Sequence, residues 1–131
     1  MKYSIQHIAI IPDGNRRWAK SQGKNPEEGH LVGFERTKDL IKYCIQKDVH
    51  SLSFWGSSIN NLTKRSFLEV KNLYSGFKKY FIQLMKDEDI HRHKVRVRVL
   101  GTWEKTFPPD LKRIIRKLME ETKDYTERNL S

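Results

Sequence analysis

Cysteine is almost absent. Cys44 is the only one in 131 residues, which excludes a disulfide within the chain and fits a reducing cytosol. Its simplest reading is a small residue in a helix core. No apolar run approaches the ~20 residues that cross a bilayer. Residues 1–6 are too short and polar to act as a signal peptide before the first strand. Acid is scarce beside base: 16 Asp and Glu face 26 Lys and Arg, for a net charge of +10. Such a surface attracts nucleic acid, anionic lipid or phosphorylated small molecules. No zinc-finger spacing, aromatic RNA-binding motif or helix-turn-helix pattern accompanies the charge, so a nucleic-acid binder is an alternative that rests on charge alone. Hydrophobic residues make up 37% of the chain and aromatics 11%, which excludes a disordered composition. The length suits one small domain with a real core.

What is present is concentrated near the start. An apolar run from His7 through Ile8, Ala9, Ile10 and Ile11 stops at Pro12. Asp13, Gly14 and Asn15 follow, then Arg16, Arg17, Trp18 and Ala19. This order predicts a strand, a tight turn and a helix start. The opening N–H groups of a helix are unpaired and carry partial positive charge. Arg16 and Arg17 add full charges, and Gly14 permits close backbone approach. A phosphate or diphosphate suits such a place. Asp13 fits there only if it holds a divalent cation or takes up a proton. The bland alternative is a strand–turn–helix with solvated arginines.

His7, Ala9 and Ile11 with the unbroken run from Asp13 to Ala19 resemble the first signature of the cis-prenyltransferases, the undecaprenyl diphosphate synthase family. The resemblance implies an enzyme that extends an allylic prenyl diphosphate with isopentenyl diphosphate in cis geometry, using Mg²⁺. It assigns Asp13 as the catalytic and metal-binding residue. Gly14, Asn15, Arg16, Arg17 and Trp18 would bind the allylic diphosphate. It also implies a cytoplasmic protein, homodimeric at full length and at most peripheral to a membrane, with no nucleic-acid partner.

The chain in order extends the resemblance. Residues 21–26 form a breaker cluster that ends the first helix. Gly29-His30 matches a glycine–histidine pair that opens the next helix in the family, which places His30 beside the diphosphates. The family often carries an arginine in the preceding loop; this chain has Pro26, with Lys24 as the nearby substitute. Leu31, Phe34, Leu40, Ile41, Cys44 and Ile45 line one face of a helix over residues 31–47. Residues 49–55 read as a second strand, and the strand–helix–strand order predicts parallel pairing. The loop after it sits where open α/β sheets bind ligands. Here the family reads Phe-Ser-x-Glu-Asn-Trp; Ser58 and Asn61 match, Asn60 replaces the acid and Leu62 the tryptophan. Ser58 and Arg65 are expected to contact substrate and Asn61 to take part in catalysis. Asn60 is read as an ordinary loop residue.

Residues 66–86 carry the longest helical pattern. By the resemblance this helix and the 31–47 helix would wall a prenyl tunnel, with Gly76, Phe77, Tyr80 and Phe81 as candidates for setting product length. Residues 86–89 read as a solvated acidic turn, and the His91-to-Lys94 stretch as a structural basic turn. Residues 95–101 alternate as a strand, with Val95, Val97 and Val99 on one side. Arg96 and Arg98 on the other are expected to pair with carboxylates. Pro108-Pro109-Asp110 opens a helix with Leu111, Ile114, Ile115, Leu118 and Met119 inward, and residues 129–131 begin a fourth strand. The expected fold is a single α/β domain over residues 1–131, with a central parallel sheet and flanking helices.

The resemblance spans the chain but only about the N-terminal half of the family's pattern. A Gly-Gly-Arg stretch and a later Arg-x-x-Gly-Glu-x-Arg-x-Ser-Asn-Phe segment, which hold isopentenyl diphosphate and help bind magnesium, are not among these residues. The chain is therefore expected to be inactive alone. A non-catalytic half-enzyme that binds a prenyl diphosphate or a partner chain stays open as an alternative.

Overall fold

The computed structural model describes residues 4–131, without the side chains of Ile59 and Asn60. Residues 1–3, part of the segment read as too polar for a signal peptide, and the Asn60 side chain lie outside what is described. Strand β1 (His7–Ile10) ends four residues before Gly14, whose φ of 92° belongs to the left-handed region where glycine is at ease. Gly14 is the N-cap of α1 (Asn15–Ser21). The chain reverses through Gly23, at φ 67°.

Helix α2 (Pro26–Gln46) begins earlier than its apolar pattern suggests. Asn25 accepts from the Glu28 N–H at 3.0 Å, and Glu28 accepts from the Asn25 N–H at 2.9 Å. This reciprocal cap, with Pro26 in the first turn, satisfies the opening donors. Gly29-His30 therefore lies inside the helix rather than at its start. The Val49 N–H closes the helix by donating to Cys44 at 2.8 Å, so β2 (Ser51–Phe54) starts two residues later than the alternation predicts. A short α3 (Ile59–Thr63) interrupts the following loop. Ser66 and Glu69 form a second reciprocal cap that opens α4 (Phe67–Lys86).

The acidic stretch after α4 is a helix junction rather than a solvated turn. Asp87 ends α4 and accepts from the Asp89 N–H at 2.8 Å, capping α5 (Glu88–Arg92). Strand β3 (Val95–Val97) is shorter than its alternation. Beyond it Val99 turns to accept from the Trp103 indole N–H at 2.9 Å. Helices α6 (Trp103–Thr106) and α7 (Pro109–Thr122) lead to β4 (Arg128–Leu130).

The sheet runs β1-β2-β4-β3 with every pair parallel. Ile8, Leu52, Leu130 and Val97 share a register row and face the core. Ile41 and Cys44 of α2, Tyr80 and Leu84 of α4, and Leu118 of α7 pack on that side. The long helices thus cover one face of the sheet. Thr122, fully buried, accepts from the Val97 N–H at 3.0 Å and donates to Leu118, which ties α7 to β3. Leu84, Ile90, Leu111, Ile115 and Leu118 are fully buried, each contributing about 1.5–3 kcal/mol from burial. Cys44 is buried in this core, and burial pushes its thiol up.

Two expectations about the basic residues come out differently. Both ring nitrogens of His91 are occupied, one by the Tyr125 hydroxyl at 2.8 Å and one by the Met85 carbonyl at 2.6 Å, so this turn is structural. Contrary to expectation, neither Arg96 nor Arg98 makes an ion pair among the described residues, and the strand position beside Arg96 is Asn129 rather than an acid.

Candidate functional site

The end of β1 delivers the chain to a cavity of about 650 Å³. Pro12, Asp13 and Gly14 come from the turn, Asn15, Arg16, Arg17 and Lys20 from α1, and Lys24 and Pro26 from the reversal. His30 enters from α2 and Arg65 from the segment between α3 and α4. Five cationic side chains, Arg16, Arg17, Lys20, Lys24 and Arg65, line it against one carboxylate, Asp13.

Close packing of α1 on α2 makes this convergence possible. A Cβ on Gly29 would lie 2.4 Å from the Asn15 carbonyl oxygen and 3.0 Å from Ala19 Cβ. On Gly33 it would lie 2.7 Å from Asn15 Nδ2. These glycines are four apart and share a face of α2. Ala19, fully buried, fills the contact from the other side. Gly29 is thus a packing residue first, and its neighbour His30 is carried to the cavity wall.

The charges interlock. Arg17 Nη2 lies 3.2 Å from Asp13 Oδ2, a pair with both side chains at least 80% exposed and so of little energetic weight. Arg16 Nη2 lies 3.8 Å from Glu69, which also caps α4. His30 Nε2 is 3.4 Å from Arg65 Nη1. Burial, then the positive charges of Arg65 and Arg16, hold His30 below its ordinary pKa, so the ring is neutral at neutral pH. With α1 only seven residues long, full side-chain charges rather than the helix dipole dominate the field.

Of the residues assigned from sequence, Asp13, Gly14, Asn15, Arg16, Arg17, His30 and Arg65 come together at this cavity. Trp18, Ser58 and Asn61 do not line it. Trp18 is 40% exposed beside it. The Ser58 hydroxyl accepts from the Asn61 N–H at 3.1 Å, which makes it a local cap for α3, and the Asn61 side chain is exposed. Lys20 escaped the sequence reading, although it follows Arg16 by four positions and Arg17 by three and so shares their helix face. Lys24 is folded back after Gly23, its N–H donating to Ala19 at 2.8 Å.

The aromatics assigned to a prenyl tunnel lie between α2 and α4. The Phe34 ring sits over Gly76, where a Cβ would be 2.7 Å from it, and stacks 5.3 Å from Tyr80 and edge-on 5.6 Å from Phe77. Among the described residues no three His, Cys, Asp or Glu side chains group closely enough to hold a metal. None of the helices described is long and apolar enough to cross a membrane.

Residues 11–131 match the family model described as "Putative undecaprenyl diphosphate synthase". A tritrans,polycis-undecaprenyl-diphosphate synthase (geranylgeranyl-diphosphate specific) of Thermococcus kodakarensis is 35% identical over 126 residues, covering 96% of this chain and 47% of the relative. Its counterpart in Methanopyrus kandleri is 36% identical, covering 96% and 46%. The solved structure of lavandulyl diphosphate synthase from Lavandula x intermedia, in complex with dimethylallyl diphosphate, superposes with a TM-score of 0.87 at 27% identity, covering 95% of this chain and 52% of that one. The chain spans about half the length of the curated relatives it matches.

Proposed function

The chain belongs to the undecaprenyl diphosphate synthase family, and from that premise we propose that it carries the allylic-diphosphate half of a cis-prenyl chain-elongating site. One observation carries this reading: five cations around a single carboxylate at the carboxyl end of a parallel strand, where open α/β sheets bind ligands. The substrates of the whole reaction are an allylic prenyl diphosphate and isopentenyl diphosphate. Geranylgeranyl diphosphate, named for the archaeal relatives, is the first allylic substrate to try.

As the allylic C–O bond breaks, negative charge gathers on the leaving diphosphate. Cations already fixed around it stabilise that charge without reorganising. Arg17 and Arg16 grip the diphosphate from α1, with Arg65 and Lys24 opposite. Neutral His30 takes up a proton toward the anion or donates from its N–H. Gly14 keeps the turn open to the ligand. Trp18, Ser58 and Asn61 keep only supporting roles in this reading.

Mg²⁺ fits the donor set in one way. It is commonly held by one or two carboxylates together with substrate phosphates, and Asp13 is the one carboxylate at the cavity. Bound there with the diphosphate, the ion would supply Lewis-acid stabilisation of the leaving oxygen. A cytoplasmic, homodimeric protein that meets membranes only peripherally belongs to the same reading; sedimentation of the pure protein and flotation with anionic liposomes check those parts.

The deciding experiment is calorimetric titration of the chain with geranylgeranyl and farnesyl diphosphates and Mg²⁺, beside Arg17→Ala. Hydrogen bonds to charged groups are worth roughly 1.5–3 kcal/mol, so the variant should bind about tenfold to a hundredfold more weakly. Equal binding by both proteins, or none by the folded chain, refutes an assembled allylic half-site.

A further inference from the structure

The positive charge of the chain is not spread evenly. Helix α4 contains a single acid, Glu69, and that one is turned to Arg16. Its buried side carries Leu73, Phe77, Tyr80 and Leu84. The opposite side exposes Lys71, Ser75, Lys79, Gln83 and Lys86, a stripe at intervals of four and three. Helix α7 repeats the arrangement: Leu111, Ile115 and Leu118 are buried, whereas Arg113, Arg116 and Lys117 are exposed.

The two helices pack side by side in one layer, joined by Lys78 Nζ at 3.0 Å from Asp110 Oδ2, so their outer stripes form one surface. Among the described residues none of its six cations, Lys71, Lys79, Lys86, Arg113, Arg116 and Lys117, makes an ion pair. Of the α7 acids, Asp110 is engaged by Lys78, and Glu120 and Glu121 lie in the last turn, Glu120 against Lys123. Helix α2, in the same layer, differs: it exposes Glu27, Glu28, Glu35 and Asp39 beside Arg36 and Lys42. The excess charge belongs to the α4–α7 face.

That face ends in two apolar side chains. Phe67 is 86% and Leu68 62% exposed in the first turn of α4. Ser66 and Glu69 make the cap of this turn, and Leu73 is the first buried residue of the helix. Apolar groups beside a cationic stripe suit an anionic bilayer: the former enter the acyl boundary while the latter meet the headgroups. A nucleic acid would use the cations alone. Platforms for single strands interleave aromatic rings with the cations, and here Tyr74 is turned onto Phe107 instead.

We infer that the outer face of α4 and α7 docks on an anionic lipid bilayer, with Phe67 and Leu68 inserted at its edge. Arg65, two residues before Phe67, lines the cavity. Docking therefore sets the cavity beside the bilayer, where an amphiphile that holds its diphosphate in the cavity finds a lipid phase for its tail. The inference deepens the proposed function and rests on it for the choice of a lipid partner.

The test is flotation of the chain with vesicles of phosphatidylcholine, alone or mixed with phosphatidylglycerol. Binding to the mixed vesicles only, falling as salt rises, is expected. Lys79→Glu with Lys117→Glu should weaken it at least tenfold, at roughly fivefold for each charge lost. Phe67→Ser with Leu68→Ser should also weaken it at least tenfold, at constant net charge. Lys42→Glu with Lys47→Glu on α2 alters net charge as much as the first pair and should change binding by less than about threefold. Every side chain replaced is exposed, so melting temperatures should hold; where Glu lowers one, Gln at the same position keeps the test. No flotation with mixed vesicles, or equal loss from the α2 pair, overturns the inference. So does binding indifferent to the Phe67 and Leu68 pair; if the same cations then hold single-stranded RNA, the face is a nucleic-acid surface. Titration with farnesyl diphosphate without vesicles reads the cavity separately. A chain that binds diphosphate and does not float loses only this inference, and one that floats through this face and binds no diphosphate loses only the allylic half-site.

Discussion

His30 titrates with arginines on two sides, and the sign of its effect follows from that placement. Burial first, then Arg65 and Arg16, keep its folded pKa below the ordinary value of 6.5. The unfolded chain therefore binds the proton more readily. The stability that His30 contributes is intact above 6.5 and drains away as pH falls through that value toward the lower folded one. A diphosphate in the cavity opposes both arginines and raises the pKa. Ligand binding near pH 6 to 7 should thus take up protons, seen as a dependence of the calorimetric heat on buffer ionisation enthalpy, and His30→Ala should abolish most of that dependence. Asp13 yields a two-way prediction. Without Mg²⁺, Asp13→Ala removes a like charge and frees Arg17 from its 3.2 Å partner, so prenyl diphosphate should bind somewhat more tightly. With Mg²⁺ the same variant should bind more weakly. Loss of affinity in both conditions would show that Asp13 acts by holding Arg17 in place. A basic nucleic-acid binder, by contrast, would show salt-sensitive RNA or DNA affinity untouched by the substitution.

At the scale of elements, α1 is too short to stand by itself and takes its position from α2. Gly29→Ala drives a Cβ to 2.4 Å from the Asn15 carbonyl oxygen, a backbone atom that can move only with the helix. Overpacking of this kind costs about 1–3 kcal/mol. Gly33→Ala meets the tip of the Asn15 amide at 2.7 Å, and a side chain can swing aside. Gly29→Ala should therefore lower the melting temperature and the affinity for diphosphate together, as Asn15, Arg16 and Arg17 shift as a unit. Gly33→Ala should lower stability less and act on the site through Asn15 alone. Thermal melts and calorimetry on the two variants separate these cases.

For the whole molecule, what matters is how much of an enzyme is present. The cavity at β1 concentrates cations for one diphosphate, whereas elongation requires two diphosphates held at reacting distance. The chain alone should therefore yield no elongated prenyl product from geranylgeranyl and isopentenyl diphosphates, measured by thin-layer chromatography of radiolabelled product. Turnover by the isolated chain would mean that residues described here as packing or capping also hold the second substrate.

The sequence by itself determined the local order: strand, tight turn at Gly14, arginine-bearing helix, then alternating strands and amphipathic helices. These follow from short-range rules of turn chemistry and period, so the parallel α/β fold and most of the cation cluster were legible before any coordinates. Helix and strand boundaries were less so. Caps such as Asn25 with Glu28 outweigh apolar pattern in deciding where α2 begins, and the Val49 N–H went to a helix end instead of a strand. The tertiary structure alone decided that β4 inserts between β2 and β3. It alone brought Arg65, 35 positions away in sequence, to His30, set Ser58 to capping α3, and gathered the long helices on one face of the sheet. Each of these depends on contacts between distant segments, and a pattern of neighbours along the chain carries no information about which distant surfaces will meet.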